Sequence, residues 1–228
     1  LEVHLRKQNP GKHDGNYSTL RSIMDHLGKE NIRIFDYGFG YAELLKAAVL
    51  LNLEAFGTEL NPHQSELARN WGIQVVDDIA GFQGAPMDVI FCEQTLEHVV
   101  EPRGVLEELR KLSTRGTLLH VSVPNCKDVH DVIRDCDWTR TKWEKLSVNC
   151  FAPLEHINSF RHRQFERLMQ DFGFKPIRLK RQMRLKWAPT DSRDEWKGLV
   201  RANMNFLKSR LGRQKPAEAT SGFFVYEG

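Results

Sequence analysis

The sequence predicts an α/β fold: one domain on a mostly parallel sheet with helices on both faces. Three observations predict it. Strand-like and helix-like segments alternate from residue 32 to residue 123. The strand-like segments are short apolar runs of the kind that parallel sheets bury on both faces. Finally, Gly, Pro and Asn stand at the junctions where helices must start or stop.

The elements follow in order. Residues 32–36 form a first strand, ended by glycines, and residues 42–51 form a helix apolar on nearly every side and therefore buried. Residues 53–59 read as the second strand. Asn61 then caps a helix whose first residue is Pro62, and Gly72 closes it after Trp71. Residues 74–76 and 88–92 supply strands three and four. Over 103–113, Val105, Leu106, Leu109 and Leu112 share one helical face opposite Glu107, Glu108, Arg110 and Lys111. Residues 117–123 are a fifth strand. Residues 126–155, with Trp138, Trp143 and Phe151, have no period and read as an insertion or lid. Phe165, Leu168, Met169 and Phe172 then form a helical stripe stopped by Gly173. A basic extended segment covers 177–187, a helix carries Trp196, Val200, Leu207 and Leu211, and a final strand covers 223–227.

Composition narrows the function classes. The 228 residues are 40% hydrophobic and 28% charged, as in an ordinary globular domain. A net charge of +3 gives no footprint for a nucleic-acid partner. The apolar stretch around residues 47–51 falls far short of the roughly 20 residues of a membrane span. Cys92, Cys126, Cys136 and Cys150 form no CxxC pair, so the expectation is a reducing, cytoplasmic setting without disulfides. With His130 and His156, these thiols match no zinc spacing, and no metal is expected. Leu1 is not an initiating methionine, and residues 1–16 are too polar for a signal peptide.

The chemistry-bearing residues lie at the strand ends. Asp36, Gly38 and Gly40 put an acid and two glycines before a helix start, a turn that lets backbone approach a ligand closely. Glu43 stands where the dinucleotide fingerprint has its third glycine, which disfavours a pyrophosphate. Glu59 ends the second strand, where an acid accepts both hydroxyls of a ribose. After the third strand, Asp78 is placed for an adenine amine and Ile79 for its ring, with Asp77 solvated. An acid at position 36 suits an ammonium group and repels phosphate. The pattern describes a nucleoside ligand without pyrophosphate.

These residues, with Cys92-Glu93-Gln94-Thr95-Leu96-Glu97-His98-Val99-Val100-Glu101-Pro102, resemble the class I S-adenosylmethionine-dependent methyltransferases. The similarity is greatest to the branch with a Leu-Glu-His-Val signature after strand four. Val123-Pro124-Asn125 and Glu155-His156-Ile157-Asn158-Ser159-Phe160 match that branch too. The resemblance implies a Rossmann-like seven-stranded sheet, mostly parallel, whose C-terminal strand is antiparallel, forming a single complete domain over 1–228. It also implies S-adenosylmethionine as cofactor, held by Asp36, Gly38 and Gly40 at the methionine part, Glu59 on the ribose, Asp78 and Ile79 at the adenine and Glu93 at the mouth, with Leu60 a further cofactor-binding residue. The activity implied is O- or C-methylation of a small-molecule acceptor. Phe39 and Ala42 depart from the family pattern: Phe39 is expected to narrow the pocket, and Ala42 to be harmless.

Each functional residue has a plainer alternative. Glu93 can cap the next helix. His156 and His98 are the candidates for a general base on the acceptor, and either can be structural. The cations Lys175, Arg178, Lys180, Arg181, Arg184 and Lys186 either protect an edge strand or attract an anionic acceptor. The rival function is a noncatalytic binding module on the same fold, supported by Phe39 alone. A nicotinamide dehydrogenase lacks its glycine fingerprint.

Overall fold

The computed structural model describes residues 10–126, 134, 152, 155–179 and 219–228. Within them the order is α1 (Pro10–Leu27), β1 (Arg33–Tyr37), α2 (Glu43–Leu50), β2 (Glu54–Thr58), α3 (Pro62–Asn70), β3 (Gln74–Val75), β4 (Val89–Glu93), α4 (Pro102–Lys111), β5 (Leu118–Pro124), α5 (His162–Asp171), β6 (Phe174–Ile177) and β7 (Ala219–Tyr226). Apart from Arg134, Ala152 and Glu155, the expected lid over 126–155 lies outside the described residues beyond Cys126. So do the basic run from Lys180 onward and the expected helix around Trp196 and Leu211.

The strands form one seven-stranded sheet in the order β3-β2-β1-β4-β5-β7-β6. β1 pairs in parallel with β2 and β4, and β4 with β5. β7 runs antiparallel to both neighbours, β5 and β6. The expected architecture is therefore present, including the antiparallel C-terminal strand.

Alternation along the strands splits the core into two layers. Ile34, Val89, Phe91 and Leu118 face α1 and α2, where Leu20, Ile23, Leu45, Ala47 and Ala48 are buried. Phe35, Ile90 and Leu119 face α4 and α5, where Leu106, Leu109, Phe165 and Met169 are buried. Each such side chain contributes about 1.5–3 kcal/mol by leaving water. The cap at Asn61 is as expected: its side-chain oxygen accepts from His63 N at 3.0 Å and Gln64 N at 3.4 Å. Helix α1 was not foreseen. Its Pro10, Gly11 and Gly15 are poor helix formers, and its apolar face at Leu20, Ile23 and Met24 becomes legible only against the sheet.

One position in β2 sets how closely the first turn approaches the sheet. A Cβ on Gly57 would lie 2.6 Å from Phe39 Cδ1, 2.7 Å from the Asp36 carbonyl oxygen and 2.9 Å from Leu45 Cδ1. Phe39, only 7% exposed, thus packs into the core over Gly57. This corrects the expectation that it narrows the pocket, because burial draws the ring inward. Gly57→Ala should lower stability by about 1–3 kcal/mol through this overpacking. The expected reading is a lower urea midpoint at unchanged m value; an unaltered midpoint would show that the turn has room to spare.

Candidate functional site

In an open parallel sheet, ligands sit beyond the carboxyl ends of the strands, where the order reverses. Here that rim is formed by the ends of β1, β2 and β4. The chain leaves β1 through Gly38 and Gly40, with φ of 74° and 54°. Both values favour glycine. The amides of Gly38 and Phe39 donate to the Thr58 carbonyl at 2.9 and 3.3 Å, laying the turn on β2. Beside it, Thr95 packs so closely on Gly38 that a Cβ there would lie 2.7 Å from Thr95 Oγ1. Ala42 is not neutral after all: its φ of 56° puts an L-residue in the left-handed region, at a cost of about 1–2 kcal/mol.

Glu59 is held by backbone. Its Oε2 accepts from Gly40 N and its Oε1 from Asn61 N, both at 2.9 Å. Each carboxylate oxygen retains a further lone pair, so the fixed acid can still accept two hydroxyls. Leu60, beside it, is 96% exposed. Asp36 is buried below the turn. Burial raises its carboxyl to about 8, and the nearby acids Glu93 and Glu59 push in the same direction. Three carboxylates thus converge on one rim, an arrangement suited to a cationic group.

Glu93 ends β4 half-exposed and does not cap the following helix, whose cap is Glu101, accepting from Arg103 N at 3.1 Å. Instead Glu93 Oε1 stands 2.8 Å from His120 Nδ1 on β5, and His120 Nε2 lies 3.2 Å from Ser221 Oγ on β7. Sequence reasoning missed His120. The available signal was register: His120 pairs with Phe91, two residues before Glu93 and so on the same face. The next residue, Gln94, has a φ of 49°, and its amide donates to the Ser122 carbonyl at 2.8 Å. Such strain is found where a turn is over-determined by its surroundings.

Beyond β3, Asp77 is exposed as expected, and its two carboxylate oxygens accept from the single Nη2 of Arg69 at 2.9 and 2.8 Å. Asp78 is exposed, while Ile79 joins the core on the α4 face. The two candidate bases come together: the rings of His98 and His156 meet edge to face at 4.9 Å. Their segments are stapled by Ile157 N and Asn158 N, which donate to the Glu97 carbonyl at 2.8 and 3.0 Å. On the edge strand β6, Lys175 is ion-paired with Glu227, and Arg178 beyond it is exposed. Cys92 and Cys126 are buried, and burial pushes the Cys92 thiol well above the usual range. Among the described residues, no helix is long and apolar enough to cross a membrane.

A family model described as a methyltransferase domain matches residues 12–179. The chain belongs to this methyltransferase family. A ubiquinone biosynthesis O-methyltransferase of Xylella fastidiosa (strain M23) is 28% identical over 116 residues, 46% of this chain and 47% of that protein. Its counterpart in Xanthomonas axonopodis pv. citri is 25% identical over 116 residues, 46% of this chain and 48% of that protein. The chain thus spans about half the length of the curated relatives it matches. Among solved structures, the plantazolicin methyltransferase BpumL in complex with a triazolic desmethylPZN analog and SAH superposes with a TM-score of 0.59 at 14% identity, covering 100% of this chain and 90% of that one. A SAM-dependent methyltransferase from Archaeoglobus fulgidus gives 0.54 at 15% identity, covering 99% of each chain. Both share the methyltransferase fold.

The buried acid makes this rim pH-sensitive. Because Asp36 is raised from 3.8 to about 8, the native state keeps a proton that the unfolded chain has already released. Stability of the ligand-free protein should therefore fall as pH rises through that window. Asp36→Asn should flatten this slope in urea titrations at several pH values. An identical slope in the variant would assign the effect to other groups.

Proposed function

We propose that this chain transfers a methyl group from S-adenosylmethionine to a small-molecule acceptor, at oxygen or carbon, as in the branch with the Leu-Glu-His-Val signature. The observation that carries the reading is the convergence of Asp36, Glu59 and Glu93 on the rim beside the left-handed turn at Gly38 and Gly40. The residues fit the cofactor. An acid raised to about 8 by burial, with Glu93 and Glu59 adding to the rise, is relieved by a positive ligand, and S-adenosylmethionine carries a sulfonium and an ammonium. Glu59, fixed by two amides, offers its remaining lone pairs to the ribose hydroxyls. In this assignment Leu60 flanks the ribose, Asp78 serves the adenine amine, Ile79 lies beneath the adenine and Glu93 stands at the mouth.

When bound, the cofactor supplies a methyl group already activated by its positive sulfur. What remains for the protein is to hold donor and acceptor in line and exclude water, for which effective molarities reach order 10⁵ M or more. Gly38 and Gly40 let backbone approach the donor without side chains intervening. His98 and His156 form the acceptor side and can receive a proton where the acceptor must lose one. The cations at Lys175, Arg178 and residues 180–186 support an acceptor with an anionic group, although Lys175 is already paired with Glu227.

Calorimetric titration with S-adenosylmethionine and its demethylated product tests the reading. Binding is expected, and it should tighten as pH rises towards about 8, because the cation favours ionised Asp36. Glu59→Ala should weaken it by about 1–3 kcal/mol. No heat and no thermal shift with either compound would remove the donor assignment and leave a noncatalytic binding module.

A further inference from the structure

The loop after β4 and the segment before α5 assemble a group of metal-ligating side chains that the donor site does not use. Glu97, His98 and His156 each offer one ligand atom, and these atoms lie within 4.8 Å of one another. Glu97 is 1% exposed, so its carboxylate is withdrawn from water. His98 Nε2 stands 3.9 Å from Glu97 Oε1. Donors bound to one ion at about 2.0–2.2 Å stand about 3–4 Å apart, so side-chain rotations of about 1 Å would close the set.

The surroundings are organised as around a ligating histidine. His98 Nδ1 lies 2.8 Å from the Glu155 carbonyl oxygen, and donating its proton there leaves the Nε2 lone pair turned towards Glu97. A backbone carbonyl on the other ring nitrogen is what fixes the tautomer of metal-bound histidines. The scaffold is fixed as well. Asn158 Nδ2 donates to the carbonyls of Val99 at 2.6 Å and Leu96 at 3.3 Å, tying the segment that carries His156 to the loop that carries the other two. The same loop packs Thr95 on Gly38, so the cluster borders the rim. With three protein ligands and a His98 side chain 42% exposed, coordination positions remain open to solvent. Structural zinc sites are closed, whereas open positions mark catalytic ones.

We propose that Glu97, His98 and His156 form a mononuclear site for a divalent transition-metal ion such as Zn²⁺. Two imidazoles and one carboxylate suit such an ion, whereas Mg²⁺ and Ca²⁺ favour all-oxygen sets. Its role would be to hold a hydroxyl oxygen of the acceptor and lower its pKa, the proton passing to solvent water; with both imidazoles ligating the ion, this replaces proton acceptance by His98 and His156. That role rests on the methyl-transfer reading and favours an oxygen acceptor; the binding of the ion does not depend on it.

The experiment strips the full chain with chelator, then titrates it with Zn²⁺ by calorimetry and with Co²⁺ by visible absorption. One ion per chain is expected, with ligand-field bands from cobalt. His98→Ala and His156→Ala should each weaken binding by about tenfold or more. Circular dichroism checks the folding of each variant. Because Glu97 is buried, Glu97→Gln is a secondary variant, and His98→Ala at the surface decides if it does not fold. Absence of metal binding would overturn the site and leave a histidine–carboxylate contact; affinity unchanged in both histidine variants would overturn it by placing the metal elsewhere. A parallel titration with the demethylated cofactor separates the two readings. Cofactor binding without metal binding leaves the transferase and removes the site. Metal binding alone keeps the site and removes the donor assignment.

Discussion

The turn leaving β1 lies flat on the end of β2, and nearly everything at the rim depends on that contact. Gly57 supplies the space, the Thr58 carbonyl receives two amides, and Glu59 receives the amide of Gly40. Three successive residues of one strand end thus hold the neighbouring turn. Had Gly57 carried a side chain, Phe39 could not sit in the core, the turn would lift, and Glu59 would lose its bond to Gly40. The left-handed backbone at Ala42 belongs to the same constraint, because the chain must swing sharply to start α2 directly above the sheet.

A second contact ties the segments that carry His98 and His156 to this frame. The loop after β4 meets the β1 turn at Thr95, whose Oγ1 donates to the Tyr37 carbonyl at 3.2 Å. Two residues further on, the same loop is bound through the Glu97 carbonyl to the segment before α5. A displacement at the β1 turn therefore has a short physical route to the histidines. The rim at the β1 turn and the two histidines are parts of one hydrogen-bonded assembly.

Much of this was legible in the sequence, and the failures have physical causes. The strands from residue 32 to residue 123 were readable because buried parallel strands are short apolar runs, and the Asn61-Pro62 start because capping is local chemistry. Asp36, Gly38, Gly40 and Glu59 were nominated by spacing, since a strand-turn-helix unit fixes where its acids and glycines fall. What escaped depends on contacts between distant segments. Phe39 read as an intruder because sequence does not reveal which way a ring turns, and the space it fills belongs to Gly57. His120 was overlooked because a single polar residue in a strand acquires meaning only through the register with β4. The grouping of Glu97 and His98 with His156 follows from the folding of the chain, not from any short motif.

The position of β7 bears on how the molecule acquires its shape. β7 lies between β5 and β6, although it follows both in the chain. During synthesis, β6 therefore emerges without a neighbour, and the β5 edge keeps its amides and carbonyls open until residues 219–226 leave the ribosome. Pairings so distant in sequence are slow to form. The nascent chain must carry an unfinished sheet edge for the time needed to make some forty further residues after β6, a span during which chaperone capture and edge-to-edge aggregation compete with closure.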